Sequence, residues 1–129
     1  MTVAVDFDGT IVENQYPQIG RLQSGAKDTL QRLHKDGHKI ILWTCRSGEL
    51  LVEAVNFLLW HDIPFDQVND NLRENIEQYG GNSRKVCADL YIDDRCILWS
   101  NGVDWERVSY HFFGEGLHPN VLLQQSLPN

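Results

Sequence analysis

The stretch Thr2-Val-Ala-Val-Asp6-Phe-Asp-Gly-Thr10 carries most of the information about how this chain folds. A short apolar, β-branched run followed at once by acidic residues is typical of a strand that is buried on both faces. Gly9 permits a tight turn directly after the strand, because glycine adopts backbone conformations that other residues avoid. The stretch therefore predicts a buried strand that ends abruptly, with Asp6 and Asp8 at its carboxyl end.

Downstream of this stretch, predicted strands alternate with predicted helices. Such alternation indicates an α/β fold in which helices cover both faces of a mainly parallel sheet. The predicted elements, in chain order, are a loop or small flap over 11–23, a helix with Ser24 as its N-cap and Gly37 at its C′ position, a strand over 38–43, a helix over 49–60, a strand over 63–68, a short helix over 72–79, strands over 88–92 and 107–113, and a helical turn over 121–125.

Three of the predicted strands end in polar residues. Asp6 and Asp8 follow the first strand, Thr44 follows the second, and Asp93 and Asp94 follow the fourth. In parallel α/β sheets, ligands bind at the carboxyl ends of the strands. We therefore expect these side chains to converge at one edge of the sheet and to form the functional site.

Length, composition and charge restrict the class of protein further. The 129 residues, with 42% hydrophobic and 22% charged, predict one folded domain over 1–129. The net charge of −7 argues against a broad nucleic-acid footprint. No secretory leader is visible, and no apolar run reaches the ~20 residues that span a bilayer, so we expect no membrane association and a cytoplasmic location. Three cysteines without metal or redox spacing are expected to be reduced and mostly buried thiols.

Four sequence features together resemble the haloacid dehalogenase (HAD) superfamily of phosphohydrolases across nearly the whole chain. Asp6-Phe-Asp-Gly-Thr10 matches the first motif of that family, and Thr44 matches its second. Lys85 matches the third motif, and Asp93-Asp94 after a hydrophobic run matches the fourth. The resemblance implies a three-layer α/β/α, Rossmann-like fold. The segments 11–23 and 66–84 are too short for a separate cap domain, so a capless member is expected.

The resemblance also implies a chemistry for the acidic residues. Asp6 would be both nucleophile and ligand of Mg²⁺, forming an aspartyl phosphate. Asp8 would bind the metal through its backbone carbonyl, while its carboxyl acts as general acid and then as general base. Asp93 would complete the metal site, with Asp94 as a further ligand or a supporting partner. Asp89 begins its strand and is expected at the opposite end of the sheet.

A second group of residues is expected to hold the substrate phosphate. Thr44 can donate a hydroxyl hydrogen bond to phosphoryl oxygens, and the backbone amide of Cys45 can add another. Lys85 would supply positive charge to the phosphate, and its neighbour Arg84 could substitute for it. Arg46 could touch the substrate or equally be an exposed arginine at the start of a helix.

Two other functions fit parts of the pattern. One is a non-catalytic phosphate-binding or regulatory protein that retains the same fold. The other is a two-component receiver domain, with Asp66 or Asp70 as the phosphate acceptor. The phosphomonoesterase hypothesis leaves the substrate open between small molecules and macromolecules, and it is compatible with a homo-oligomer in which one subunit supplies a lid to another.

Overall fold

The computed structural model of the protein describes residues 1–96, 99 and 101–115. These residues form six strands and four helices. In chain order the elements are β1 (Thr2–Val5), β2 (Val12–Gln15), β3 (Gln18–Leu22), α1 (Ala26–Lys35), β4 (Lys39–Leu42), α2 (Gly48–Trp60), β5 (Gln67–Val68), α3 (Arg73–Tyr79), β6 (Leu90–Ile92) and α4 (Trp105–Phe113).

Four of the strands form the central sheet, in the order β5-β4-β1-β6. Every pairing in this sheet is parallel. Val5, the last residue of β1, lies opposite Leu42 of β4 and Ile92 of β6. Because these three strands end in register, the residues that follow them meet at one edge of the sheet. The mixed α/β class with a mainly parallel sheet is therefore confirmed, and it is consistent with a Rossmann-like fold.

The two faces of the sheet are covered unequally. Val3 and Val5 pack with residues of α1, α2 and α4 in the larger hydrophobic cluster. Ala4 lies between them in sequence and faces the opposite side, since side chains alternate along a strand. There it packs in a smaller cluster with Ile41, Leu72 and Val86. Helix α3 starts directly after Leu72 and has no buried residue of its own. Most of the apolar stabilisation therefore comes from one face.

Helix α1 confirms one predicted boundary and corrects the other. Gly37 has a positive φ of 93° directly after the C-cap Asp36, as expected of a C′ glycine. At the other end the N-cap is Gly25, with φ of 88°, and not Ser24. The left-handed conformation of Gly25 is accessible to glycine at little cost, so the chain turns into the helix one residue later than predicted.

The segment after Gly102 forms a helix, α4, so the strand predicted over 107–113 is wrong. The Asp104 side chain caps α4 by accepting a hydrogen bond of 3.2 Å from the backbone amide of Arg107. The buried residues of α4 include Trp105 and Val108, which share one face at helical spacing. Strand propensity of valine and aromatic residues was outweighed by packing against α1. The helical turn predicted over 121–125 lies outside the described residues.

Residues 11–23 are more ordered than the predicted loop, because β2 and β3 pair as an antiparallel hairpin. The hairpin is joined to the end of β1 by a hydrogen bond of 2.8 Å from the Gly9 amide to the Val12 carbonyl. The third predicted strand, 63–68, is shorter than expected, with only Gln67–Val68 paired. Among the described helices, none has the length and apolar content needed to cross a membrane.

Candidate active site

The site is built on the turn that follows β1. The amide of Asp6 still pairs with β6, donating to the Ile92 carbonyl at 2.9 Å. The chain then turns sharply, with three consecutive amides, those of residues 10, 11 and 12, donating to the carbonyl of Phe7. Gly9 has a φ of +81°, and a Cβ at this position would overlap the carboxylate of Asp94. Glycine is therefore required here both by the backbone and by the space that Asp94 occupies.

The carboxylates of Asp6, Asp93 and Asp94 form a cluster at this edge of the sheet. Each offers an oxygen, and these oxygens all lie within 4.8 Å of one another. The buried Thr10 joins the two sides of the cluster. Its hydroxyl donates to Asp6 Oδ2 at 3.1 Å and accepts from the Asp94 amide at 3.0 Å. The expectation that the ends of the first and fourth predicted strands converge is correct for these three residues.

The electrostatics of this acidic cluster are unfavourable without a cation. Burial raises the pKa of Asp6 from 3.8 to about 7, and the negative charge of Asp93 and a hydrogen bond with Asp94 act in the same direction. Within the described part of the chain, no lysine or arginine forms an ion pair with any of the three. Three oxygen donors of this kind suit a hard divalent cation such as Mg²⁺ or Ca²⁺.

Asp8 lies in the same turn but in a different environment. Arg46 donates from Nε to Asp8 Oδ2 at 2.7 Å and from Nη2 to Asp8 Oδ1 at 2.8 Å. This is the paired, two-bond geometry in which arginine binds a carboxylate most strongly. The Asp8 carboxylate is therefore not part of the acidic cluster with Asp6. The predicted metal contact of Asp8 involved its backbone carbonyl, which this ion pair leaves unaffected.

Arg46 is buried, with 2% of its surface exposed, so its interpretation as an exposed residue at a helix start is wrong. Its guanidinium also donates to the carbonyls of Gln18 in the hairpin, at 3.0 Å, and of Leu50 in the first turn of α2, at 3.3 Å. The hydrogen bond to Asp8 raises the pKa of Arg46 above its ordinary value. Arg46 thus connects the turn after β1, the hairpin and α2.

Thr44 lies beyond the carboxyl end of β4, separated from it by Trp43. Its backbone amide donates to Asn69 Oδ1 at 2.8 Å, and its hydroxyl oxygen accepts from the Arg46 amide at 3.1 Å. Among the described residues nothing accepts the Thr44 hydroxyl proton or the Cys45 amide proton. Both donors therefore remain able to bind an anion.

Lys85 is not brought to the acidic cluster in this structure. Its side chain is exposed, and Nζ lies 5.1 Å from the centre of the Tyr91 ring. In the described residues Lys85 makes no ion pair with a carboxylate. Arg84 is exposed as well. The structure therefore places the two predicted cations on the surface, without a contact to Asp6.

Three other predictions concern residues near the edges of the sheet. Asp89 accepts a hydrogen bond of 2.7 Å from the Thr2 amide, which places it at the start of β1, the expected opposite end. Asp66 precedes β5, and its Oδ2 accepts from the Ile40 amide at 2.7 Å, so this candidate phosphate acceptor of a receiver domain also lies away from the site. The three cysteines are free and exposed, so the expectation of mostly buried thiols is wrong.

Sequence reasoning missed two contributors to the site besides Arg46. Thr10 is the last residue of the Asp-x-Asp-Gly-Thr motif, and the motif alone predicts no role for it, although its two hydrogen bonds join Asp6 to Asp94. Trp105 of α4 is buried and donates from Nε1 to the Thr10 carbonyl at 2.9 Å. The Asp-x-Asp-Gly-Thr spacing could have indicated Thr10, because a threonine four residues after Asp6 can reach back across a tight turn. No local pattern links Trp105 to this turn.

The fold and the site together define a class of protein: an α/β protein with an acidic cluster at the carboxyl edge of a parallel sheet. No family model matches the chain, and no curated protein matches it. It is similar to a solved structure described as that of a conserved protein coded by a locus from Bacteroides thetaiotaomicron, with 42% identity and a TM-score of 0.76 over 87% of this chain and 88% of that one. The chain belongs to the same family as that conserved Bacteroides thetaiotaomicron protein.

Proposed function

We propose that the protein is a Mg²⁺-dependent phosphomonoesterase of the HAD type that acts through an aspartyl phosphate on Asp6. One observation carries this proposal: Asp6, Asp93 and Asp94 present carboxylate oxygens within 4.8 Å of one another at the ends of adjacent parallel strands. Asp8 lies two residues further on, in the same turn. This combination supplies a nucleophile, a cation site and a proton-transfer group at one edge of the sheet.

The residues of the acidic cluster fit a magnesium ion. Mg²⁺ prefers a few hard oxygen ligands and retains part of its shell for water or phosphate. Asp6 and Asp93 would hold it with the Asp8 carbonyl, and Asp94 offers a further oxygen. Burial raises the pKa of Asp6, the negative charge of Asp93 adds to this, and no positive charge of the described residues offsets them. Bound Mg²⁺ supplies that charge, which favours the ionised form of Asp6 and neutralises an incoming phosphate.

The chemistry assigned to the two aspartates of the turn has two steps. In the first, a carboxylate oxygen of Asp6 attacks phosphorus, and the bond from phosphorus to the leaving oxygen breaks. Asp8 protonates a leaving group that needs a proton. In the second step Asp8 accepts a proton from water as the water oxygen attacks phosphorus, and Asp6 is released as a carboxylate. Two hydrogen bonds from Arg46 hold the Asp8 carboxylate in place in the turn.

Thr44 and Cys45 are the proposed phosphate ligands with geometric support. The Thr44 hydroxyl and the Cys45 amide both lie beyond β4 with their protons unused by the described residues. Lys85 would reach the phosphate only after leaving the Tyr91 ring, against which its ammonium group now lies. The cation–π contact of an exposed lysine is worth about 0.5–1 kcal/mol, so a bound phosphate could compete with it.

The described residues include no separate cap domain, and this bears on which substrates the proposed site could admit. The hairpin over residues 12–22 is the only insertion between β1 and α1, and it is smaller than a domain. We propose a capless, HAD-like fold whose open site admits phosphorylated small molecules or macromolecules.

The direct test is hydrolysis of p-nitrophenyl phosphate by the native protein, with Mg²⁺ and with EDTA. We expect metal-dependent release of p-nitrophenol, and a loss of at least about 1000-fold in kcat for Asp6→Asn, because the nucleophile is removed. Asp36→Asn is the matched control, since Asp36 is an exposed aspartate at the end of α1. It should retain native activity.

The outcomes separate the proposal from its alternatives. Metal-independent release that persists in Asp6→Asn would overturn the mechanism. Binding of phosphate compounds without any turnover by folded native protein would instead favour a non-catalytic role.

A further inference from the structure

The contacts of Arg46 exceed what an ordinary ion pair requires. Its buried guanidinium makes two bonds to the Asp8 carboxylate and one to the carbonyl of Gln18, and its remaining Nη1 group donates to Leu50. The guanidinium carbon also lies 5.2 Å from the centre of the Tyr16 ring. Gln18 and Tyr16 belong to the hairpin. The Arg46 side chain therefore contacts both the hairpin and the Asp8 carboxylate.

We propose that Arg46 is a positioning residue that orients the Asp8 carboxylate for the water attack that breaks down the phosphorylated Asp6, and that it couples this orientation to the hairpin. This inference rests on the proposed phosphomonoesterase function. It assigns Arg46 no contact with the substrate. Its effect is exerted through Asp8.

The geometry explains why arginine is needed at this position. A planar guanidinium meets both carboxylate oxygens at once, which fixes the plane of the Asp8 carboxylate as well as its distance. The ammonium group of a lysine carries the same charge on a flexible stem and cannot make this parallel pair of bonds. Arg46→Lys therefore retains the charge beside Asp8 and removes its fixed orientation.

The step that depends on this orientation is the second one. The water oxygen bonds to phosphorus, and the bond from phosphorus to the Asp6 oxygen breaks, returning its electron pair to Asp6. The water proton passes to Asp8, and inorganic phosphate leaves. In the first step p-nitrophenolate departs with its electron pair and needs no proton, so with this substrate the first step does not depend on Asp8.

The experiment compares kcat, kcat/KM and the pre-steady-state phase of native enzyme and Arg46→Lys with p-nitrophenyl phosphate and Mg²⁺. In Arg46→Lys we expect kcat to fall about 10-fold to 100-fold, the range for misplacing a catalytic group, with kcat/KM within about threefold of native. A burst of one p-nitrophenolate per enzyme should precede slow turnover, because phosphorylated Asp6 accumulates. A merely structural role would lower kcat and kcat/KM together, without a burst.

Arg32→Lys is the matched control. Arg32 also pairs with a carboxylate, that of Glu115, and also lies over an aromatic ring, that of Phe113, but it is an exposed residue of α1. Its kinetics should match those of native enzyme. Asp8→Asn should reproduce the burst, and the double variant Arg46→Lys/Asp8→Asn should be no slower than Asp8→Asn alone, because both changes remove one function.

Failure of this inference is distinguishable from failure of the proposed function. Native protein without Mg²⁺-dependent turnover would contradict both. Native turnover that is lost in Asp6→Asn, with parallel losses of kcat and kcat/KM in Arg46→Lys, would overturn the positioning role alone.

Tyr16→Leu gives a second test that does not endanger the fold, since Tyr16 is 57% exposed. We expect an about two- to threefold lower kcat at unchanged kcat/KM, because the cation–π contact between Tyr16 and Arg46 is lost. An equal loss in both would count against the coupling to the hairpin.

Discussion

The Asp8 carboxylate and the acidic cluster of Asp6, Asp93 and Asp94 lie in or beside the turn after β1, and they differ in whether a cation lies against them. Asp8 is held by a buried guanidinium through two short hydrogen bonds. Asp6, Asp93 and Asp94 are crowded together with no cation of the described chain against them. Asp6 and Asp8 are only two positions apart, yet of the two only Asp8 has a positively charged partner among the described residues.

The two regions differ in how the unfavourable burial of a negative charge is compensated. A buried charge is costly unless it is paired, so the Asp8 charge is neutralised internally by Arg46. Asp6 has no such partner among the described residues. Burial raises its pKa to about 7, so Asp6 holds its proton to a higher pH than an exposed aspartate does. A site that is left short of positive charge is suited to a cation from solution. Asp8 is therefore paired within the protein, whereas the acidic cluster has no cation beside it among the described residues and is where we propose that Mg²⁺ binds.

The largest effect is expected from breaking the internal pair. Arg46→Ala leaves Asp8 partly buried without its counter-charge, and removal of one partner of a buried ion pair costs about 3–5 kcal/mol in the free energy of unfolding. Urea denaturation measures this loss. Adding Asp8→Asn to Arg46→Ala should restore part of the stability, because the unpaired charge disappears. Arg32→Ala, at an exposed ion pair, should lower the free energy of unfolding by no more than about 1 kcal/mol. An equally small loss in Arg46→Ala would contradict the claim that Arg46 compensates a buried charge on Asp8.

A smaller effect of opposite sign is expected from the acidic cluster in metal-free protein. The pKa of Asp6 is higher in the folded state than its ordinary value of 3.8, so the folded state binds the proton more tightly. Its stabilising contribution is complete below about pH 4 and is lost as the pH rises to about 7. Asp6→Asn cannot ionise and should therefore gain on the native protein over this interval, by about 1–3 kcal/mol because the half-buried group is partly screened.

Urea denaturation in EDTA at pH 4.5 and pH 8 measures this second effect. The difference in unfolding free energy between Asp6→Asn and native protein should be larger at pH 8. A difference that is unchanged or smaller at pH 8 would show that Asp6 is not destabilised by ionisation. Asp36→Asn, at an exposed position, should show the same difference at both pH values.

The smallest effect expected is stabilisation by the metal itself. At a free Mg²⁺ concentration ten times its Kd, binding to the folded state adds about 1.4 kcal/mol to the free energy of unfolding. Thermal denaturation with Mg²⁺ against EDTA detects this as a rise in Tm. Asp93→Asn should remove most of the rise, whereas Asp89→Asn, at the other end of the sheet, should retain it. A full rise in Asp93→Asn would exclude Asp93 as a ligand.

Much of the fold could be predicted because its signals are local. The apolar run of β1, the turn at Gly9 and the C′ glycine of α1 each depend on a few neighbouring residues. The short helix α3 was predicted within one residue of its start. The strand predicted over 107–113 was wrong because valine and aromatic residues favour strands in isolation, and only the packing of Trp105 and Val108 against the core shows the helical period.

The positions of site residues could be predicted where strand order is sufficient, and could not where side chains reach across the fold. Parallel strands that end in register bring Asp6 and Asp93 together without further information. The orientation of Arg46 required the hairpin and α2 to be in place, since its partners come from both. For Lys85 the sequence supplied only a residue type upstream of a strand, and the structure places its ammonium group against Tyr91.

The sequence by itself determined the α/β class, the buried first strand and the acidic turn with its glycine, because short-range sterics and hydrophobic periodicity specify each of them. Only the tertiary structure decided which carboxylates are paired with a cation and which, among the described residues, have none beside them. Arg46 and Asp8 are separated by 38 positions. Their pairing depends on the relative placement of β1, the hairpin and α2, and the low dielectric of the assembled interior makes that pairing energetically decisive.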